Sequence, residues 1–153
     1  MGHSLGVLWL LTRRPEWCDR LVSVNGFPRF TSAPGYPGVP VRSVERMLAR
    51  LPEDPKGVLD AFRTRCGAGR APDDPDVDAL RQGLELLRDG DARDIVTDKG
   101  VLALAGHNDL ILPPNMMELA FPGAEVRYPA EGHLLPRNAP EAVVQAVRDM
   151  VPR

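Results

Sequence analysis

Residues 2–6 read Gly-His-Ser-Leu-Gly and run straight into Val7-Leu8-Trp9-Leu10-Leu11. A serine flanked at two residues' distance by glycines, at the mouth of an apolar helical run, is the pattern of a nucleophile elbow. That element is a sharp strand-to-helix turn with the serine hydroxyl at its tip. The glycines let the backbone turn tightly and let helix and strand approach closely. The amide after the serine, that of Leu5, is placed to face an oxyanion formed on a substrate. No other feature constrains the chain as much. An elbow belongs in a parallel sheet, so the remaining sequence has to supply further strands, crossover helices and polar partners for Ser4.

At 153 residues the chain has the size of one domain. After a buried helix over 5–12, Arg13-Arg14-Pro15-Glu16 ends the helical pattern. Arg20-Leu21-Val22-Ser23-Val24-Asn25 reads as a strand stopped by Asn25-Gly26. A Pro- and Gly-rich loop over 27–40 then leaves the sheet. Three helical stripes follow: Val41, Val44, Met47, Leu48 and Leu51; Val58, Leu59 and Phe62; and Val77, Leu80, Leu84 and Leu87, the last opened by Asp73-Asp74-Pro75-Asp76. The sheet resumes at Gly100–Ala105, a continuous apolar run suited to a parallel strand covered on both faces. A helix from Pro113-Pro114 to about Phe121, a strand over Ala124–Tyr128 and a final helix from near Pro140 complete the chain. That last helix is expected to turn Val143, Val144, Val147, Met150 and Val151 inward. The alternation predicts an α/β fold with about three parallel strands and flanking helices. It divides the chain into a core segment over 1–26, a helical insertion over 27–94 and a second core segment over 95–153.

In such sheets the chemistry gathers at the carboxyl ends of the strands. Three loops at those ends carry Ser4, Asp109 and His133, in that order. A serine hydroxyl is a poor nucleophile until an imidazole takes its proton, and the imidazole needs a carboxylate to fix its tautomer. Ser4 is the expected nucleophile, His133 the proton shuttle and Asp109 its orienting carboxylate.

A net charge of −2 gives no reason to expect nucleic acid or an anionic membrane as partner. No apolar run has the length of a membrane span. Cys18 and Cys66 lack metal or redox spacing, which points to free thiols in a reducing cytoplasm. The three histidines have no ligand spacing, so no metal and no cofactor are expected.

The segments GHSLG, GHNDLILPP and AEGHLLPRNAPEAV together resemble the α/β-hydrolase superfamily from its nucleophile elbow to its C-terminus. The resemblance implies the C-terminal part of that fold plus an inserted helical lid. Gly83-Leu84-Glu85-Leu86-Leu87, with Asp91-Ala92-Arg93 after it, is similar to the stretch that ends the lid in the pimeloyl-[acyl-carrier protein] methyl ester esterases of biotin synthesis. That resemblance implies a serine carboxylic ester hydrolase acting through an acyl-enzyme on Ser4, on a small acyl ester carried on acyl-carrier protein. It implies Phe62 as an acyl-channel residue, His3 beside the substrate, and lid arginines such as Arg63, Arg65 and Arg70 against the carrier. His3 stands where that family has a tryptophan, and histidine is common there in other α/β-hydrolases. The alternatives are another lidded α/β-hydrolase, such as a general carboxylesterase or lipase-like enzyme, and an inactive fragment. An elbow also needs a strand before it and a second oxyanion donor from an earlier loop. A chain truncated at its N-terminus by roughly 70–90 residues is therefore expected. Such a chain would have an open edge at the 20–25 strand, and little esterase activity with one oxyanion amide of two.

Overall fold

A computed structural model of the chain describes residues 1–13, 19–95 and 100–151. Arg14-Pro15-Glu16 and Cys18 lie outside the described residues. Four parallel strands form one sheet in sequence order: β1 (Gly2–His3), β2 (Leu21–Val24), β3 (Val101–Leu104) and β4 (Glu125–Arg127). Gly2 and His3 register on Ser23 and Val24, Leu21 to Val24 on Val101 to Leu104, and Leu102 to Leu104 on Glu125 to Arg127. Seven helices surround the sheet among the described residues: α1 (Leu5–Thr12), α2 (Val41–Arg50), α3 (Pro55–Cys66), α4 (Val77–Asp89), α5 (Met116–Ala120), α6 (Leu135–Asn138) and α7 (Pro140–Met150). None of the described helices is long and apolar enough to cross a membrane.

Apart from Ser23, the central strands are apolar because both faces are covered. Leu21 and Ala103 join α1 and α5 in the larger cluster, with Val7, Leu8, Leu11, Met116 and Phe121. Val22, Val24, Leu102 and Leu104 point the other way, onto Leu135, Val143 and Ala146 of α6 and α7. This is the period-two alternation of a strand with helices on each side. Helices α2, α3 and α4 all fall between β2 and β3. They add Val44, Leu51, Val58, Leu84 and Leu87 to the larger cluster, so they share the core of the sheet.

Several expectations need correction. Among the described residues the sheet has four strands, because the elbow's own first residues pair with β2; β2 is therefore interior, and β1 and β4 are the edges. The final helix turns Val143 and Ala146 inward, with Met150 packed against them. Val144, Val147 and Val151 are 47%, 36% and 59% exposed. Small Ala146 sits at the sheet contact, and the valines at 144, 147 and 151 lie on the next face round. The helix expected from Pro113 begins only at Met116, since the two prolines form the turn that leads in. Helix α6, a single turn with Pro136 near its start, follows His133 unannounced. Gly6 has open space where a Cβ would stand, so close packing does not require it. The close approach of α1 to β2 falls at Gly26, where a Cβ would meet the Val7 side chain and lie 2.5 Å from Ser23 Oγ.

Candidate active site

Ser4 links β1 to α1 with φ +52° and ψ −126°, a conformation that a side-chain-bearing residue rarely adopts. Such a residue carries about 1–3 kcal/mol of strain, held by its surroundings. Here the surroundings are main-chain bonds: the Ser4 amide donates to the Val24 carbonyl at 3.0 Å, and its carbonyl accepts from the Val7 amide at 3.0 Å. A serine at this position usually caps its helix through its side chain. Ser4 makes no such bond. Its hydroxyl lies 3.0 Å from His133 Nε2 instead.

His133 follows β4 and is 3% exposed. Its Nδ1 is 2.8 Å from Asp109 Oδ2. The other carboxylate oxygen, Oδ1, accepts from the amides of Ile111 at 2.7 Å and Leu112 at 3.2 Å, an Asx-type turn that pins the group to its own loop. An ionised carboxylate only accepts, so Nδ1 carries the proton and donates. The neutral ring then presents the Nε2 lone pair to the Ser4 hydroxyl. The three residues expected from the sequence thus stand in one hydrogen-bonded chain, each on a loop at a strand's carboxyl end.

Asn25, which in the sequence marks only the end of a strand, belongs to the site. Asn25 is 1% exposed and has φ +43°. Its Oδ1 accepts from the Gly106 amide at 2.6 Å, and its Nδ2 donates to the carbonyls of Gly132 at 3.1 Å and His133 at 2.7 Å. One side chain therefore ties together the loops after β2, β3 and β4. His3 also turns toward this point. Its Nε2 donates to the His133 carbonyl at 2.8 Å, and its ring centroid lies 5.1 Å from that of His133. Burial holds the His3 imidazole below its ordinary pKa; the bond to the His133 carbonyl opposes this in part.

Ser4 and Leu5 stand at one side of a cavity of about 250 Å³ whose remaining lining is apolar, including Phe30, Met47, Phe62 and Leu80. The Leu5 amide opens α1, so no carbonyl of that helix lies four residues before it. A second cavity of about 350 Å³ shares Phe30, Met47, Val58 and Phe62 with the first and adds Arg46, Arg50 and Arg65. Of the arginines singled out in the sequence, Arg65 lines this second cavity, and Arg63 is tied to the Gly69 carbonyl at 2.7 Å. Arg70 and His3 line neither cavity. Cys66 is free and buried, and burial raises its thiol pKa to about 11, which leaves it an inert packing group at neutral pH.

Known structures share this fold. An esterase from Exiguobacterium antarcticum superimposes with a TM-score of 0.78 at 22% identity, over 97% of this chain and 64% of the other. A hydrolase from Oleispira antarctica gives 0.80 at 14% identity, over 97% and 63%. The chain has part of the α/β-hydrolase fold. In sequence it is similar to the pimeloyl-[acyl-carrier protein] methyl ester esterase of Salmonella agona, 30% identical over 139 residues covering 78% of this chain and 54% of that protein. The enzyme of the same name from Pectobacterium carotovorum is 29% identical over 133 residues, 74% of this chain and 52% of that protein. The chain spans about half the length of the curated relatives it matches. No protein-family model matches it.

Proposed function

We propose that the chain carries the catalytic residues of a serine carboxylic ester hydrolase that works through an acyl-enzyme. One observation carries this reading: a backbone-strained Ser4, with its hydroxyl 3.0 Å from a carboxylate-oriented imidazole, borders an apolar cavity. Ser4 Oγ attacks the ester carbonyl carbon while its proton passes to His133 Nε2. Asp109 stabilises the imidazolium so formed, and the Leu5 amide donates to the oxyanion. As the tetrahedral intermediate collapses, the alcohol leaves with the proton from His133. Water, deprotonated by the same nitrogen, then releases the acid and restores Ser4.

The apolar cavity suits the chain of an acyl group, with Phe62 on its wall. Helices α2–α4 serve as a lid over it. The names of the relatives extend this to the methyl ester of a pimeloyl group on acyl-carrier protein, with the Arg46, Arg50 and Arg65 cavity turned toward an anionic carrier. A fluorophosphonate probe tests the nucleophile. It should label Ser4 stoichiometrically in the folded chain and leave Ser4→Ala unlabelled, since labelling needs an activated serine. Release of methanol from the pimeloyl-carrier ester, against a panel of simple carboxylic esters, tests the substrate. A folded sample that takes no label overturns the reading.

A further inference from the structure

We propose that Asn25 and His3 are positioning residues that set the two short links of the Ser4–His133–Asp109 chain, each through its own closed ring of bonds. The inference rests on the reading of that chain as the reactive site. Both residues act on one atom, the main-chain carbonyl of His133, which accepts from Asn25 Nδ2 at 2.7 Å and His3 Nε2 at 2.8 Å.

The first ring runs from the Ser4 hydroxyl to His133 Nε2, through His133 to its carbonyl, across to His3 Nε2, and back along one peptide bond to Ser4. His3 directly precedes the nucleophile, so the residue that carries Ser4 also grips the base by its main chain. This bond limits how far the main chains that carry Ser4 and His133 can move apart. The second ring runs from the Asp109 carboxylate to His133 Nδ1, through His133 to its carbonyl, across Asn25 to the Gly106 amide, and along the loop to Asp109. Asn25 thus bridges the Asp109 loop and the His133 loop from beneath. The two loops are laced directly as well, by the amides of His107 to the Pro129 carbonyl at 2.9 Å and Asn108 to the Glu131 carbonyl at 3.0 Å. They come so close that a Cβ at Gly106 would stand 2.6 Å from the Glu131 carbonyl oxygen.

The residue types fit the task. Asparagine tolerates the left-handed backbone that ends β2. Its amide also offers an acceptor and a donor back to back, which Asp offers only in part. His3 in its neutral Nε2–H form donates, and a glutamine amide reaches a similar point. Displacement of a reacting group by about 1 Å can cost on the order of 10²-fold in rate.

The experiment uses four variants of the full chain and two readouts. The first readout is the low-field proton resonance of His133 Nδ1–H, which reports its bond to Asp109 without any need for activity. The second is the rate of Ser4 phosphonylation by a fluorophosphonate. Asn25→Gly keeps the backbone conformation and removes the amide; Asn25→Asp keeps the acceptor for Gly106 and removes both donor bonds. Both should lose or broaden the low-field resonance and slow labelling by about 10²-fold. His3→Phe should keep the resonance and slow labelling by a similar factor, and His3→Gln should restore the rate to within a few-fold. A wild-type resonance in folded Asn25→Gly or Asn25→Asp, or wild-type labelling in His3→Phe, overturns the proposal. If the wild-type chain takes no label, the esterase reading falls, and the resonance still decides the role of Asn25.

Discussion

At the residue scale, what a side chain touches separates positions that look alike in the sequence. Gly6 and Gly26 both flank the elbow region, yet only Gly26 is enclosed. Gly26→Ala should destabilise the chain by about 1–3 kcal/mol, the usual cost of overpacking. Gly6→Ala should be neutral or stabilising by up to about 1 kcal/mol, since alanine favours the helix and meets nothing. Urea titrations of the two variants beside wild type read both. His3 makes a pH prediction. Its folded pKa lies below the ordinary imidazole value of about 6.5, through burial first, with the bond to the His133 carbonyl and the Asp109 carboxylate opposing this in part. The unfolded chain therefore takes up a proton on His3 at a pH where the folded chain still refuses it. The contribution of His3 to stability is present above about pH 6.5 and is lost as pH falls toward the lower folded value. Between pH 7.5 and 5, wild type should lose more of its urea midpoint than His3→Phe does. Equal losses would show that His3 is not held neutral by the fold.

At the element scale, legibility followed hydrophobic pattern. Strand β3 is a continuous apolar run and β2 one broken only by Ser23, because helices cover both faces, and α2 and α4 show long stripes, so the sequence marks them. Ser4 could be singled out by its Gly-x-Ser-x-Gly setting, and Asp109 and His133 because each follows a strand-like stretch, in the order a Ser-Asp-His site requires. Strand β1 is two residues, glycine and histidine, held by its register on β2, and no pattern announces it. Asn25 bonds across three loops distant in sequence, a role that leaves no local trace beyond a polar residue at the end of an apolar strand. The signal that could have found it is that polarity, beside a glycine, where the backbone must turn left-handed. Helix α7 misled because valines draw the eye and alanine does not. Val143→Ala removes a buried side chain and should cost about 2 kcal/mol. Val144→Ala, at an exposed position, should change stability by less than about 0.5 kcal/mol. Equal costs in denaturant titration would contradict the observed face.

At the scale of the whole molecule, the helices between β2 and β3 leave and rejoin the sheet side through one small knot of charge. Arg29 lies where the chain departs and Asp91 where it returns, and they form an isolated antiparallel bridge. The Ala92 amide donates to the Pro28 carbonyl at 2.8 Å. Asp91 accepts from Arg29 and Arg93, each at 2.8 Å, and the Arg93 guanidinium lies over the Tyr36 ring. Arg93 first, and Arg29 with it, holds the Asp91 carboxyl well below the usual carboxylate range. The knot sits two residues past the end of α4, and α4 supplies Leu80, Gly83, Leu84 and Leu87 to the cavity beside Ser4. Loosening it should move the far wall of the cavity and leave the Ser4–His133–Asp109 chain in place. Asp91→Asn should therefore cost about 1 kcal/mol, the worth of a partly exposed charged contact. It should label with a small fluorophosphonate at the wild-type rate. Its preference among longer straight-chain acyl phosphonates should flatten, because a displaced α4 no longer fits one chain length. The same slowing for small and long probes would place the effect of Asp91 at the reactive groups themselves. An unchanged preference would mean that the cavity wall is held by the packing of α2 against α4, with the charged knot as ornament on an already rigid base.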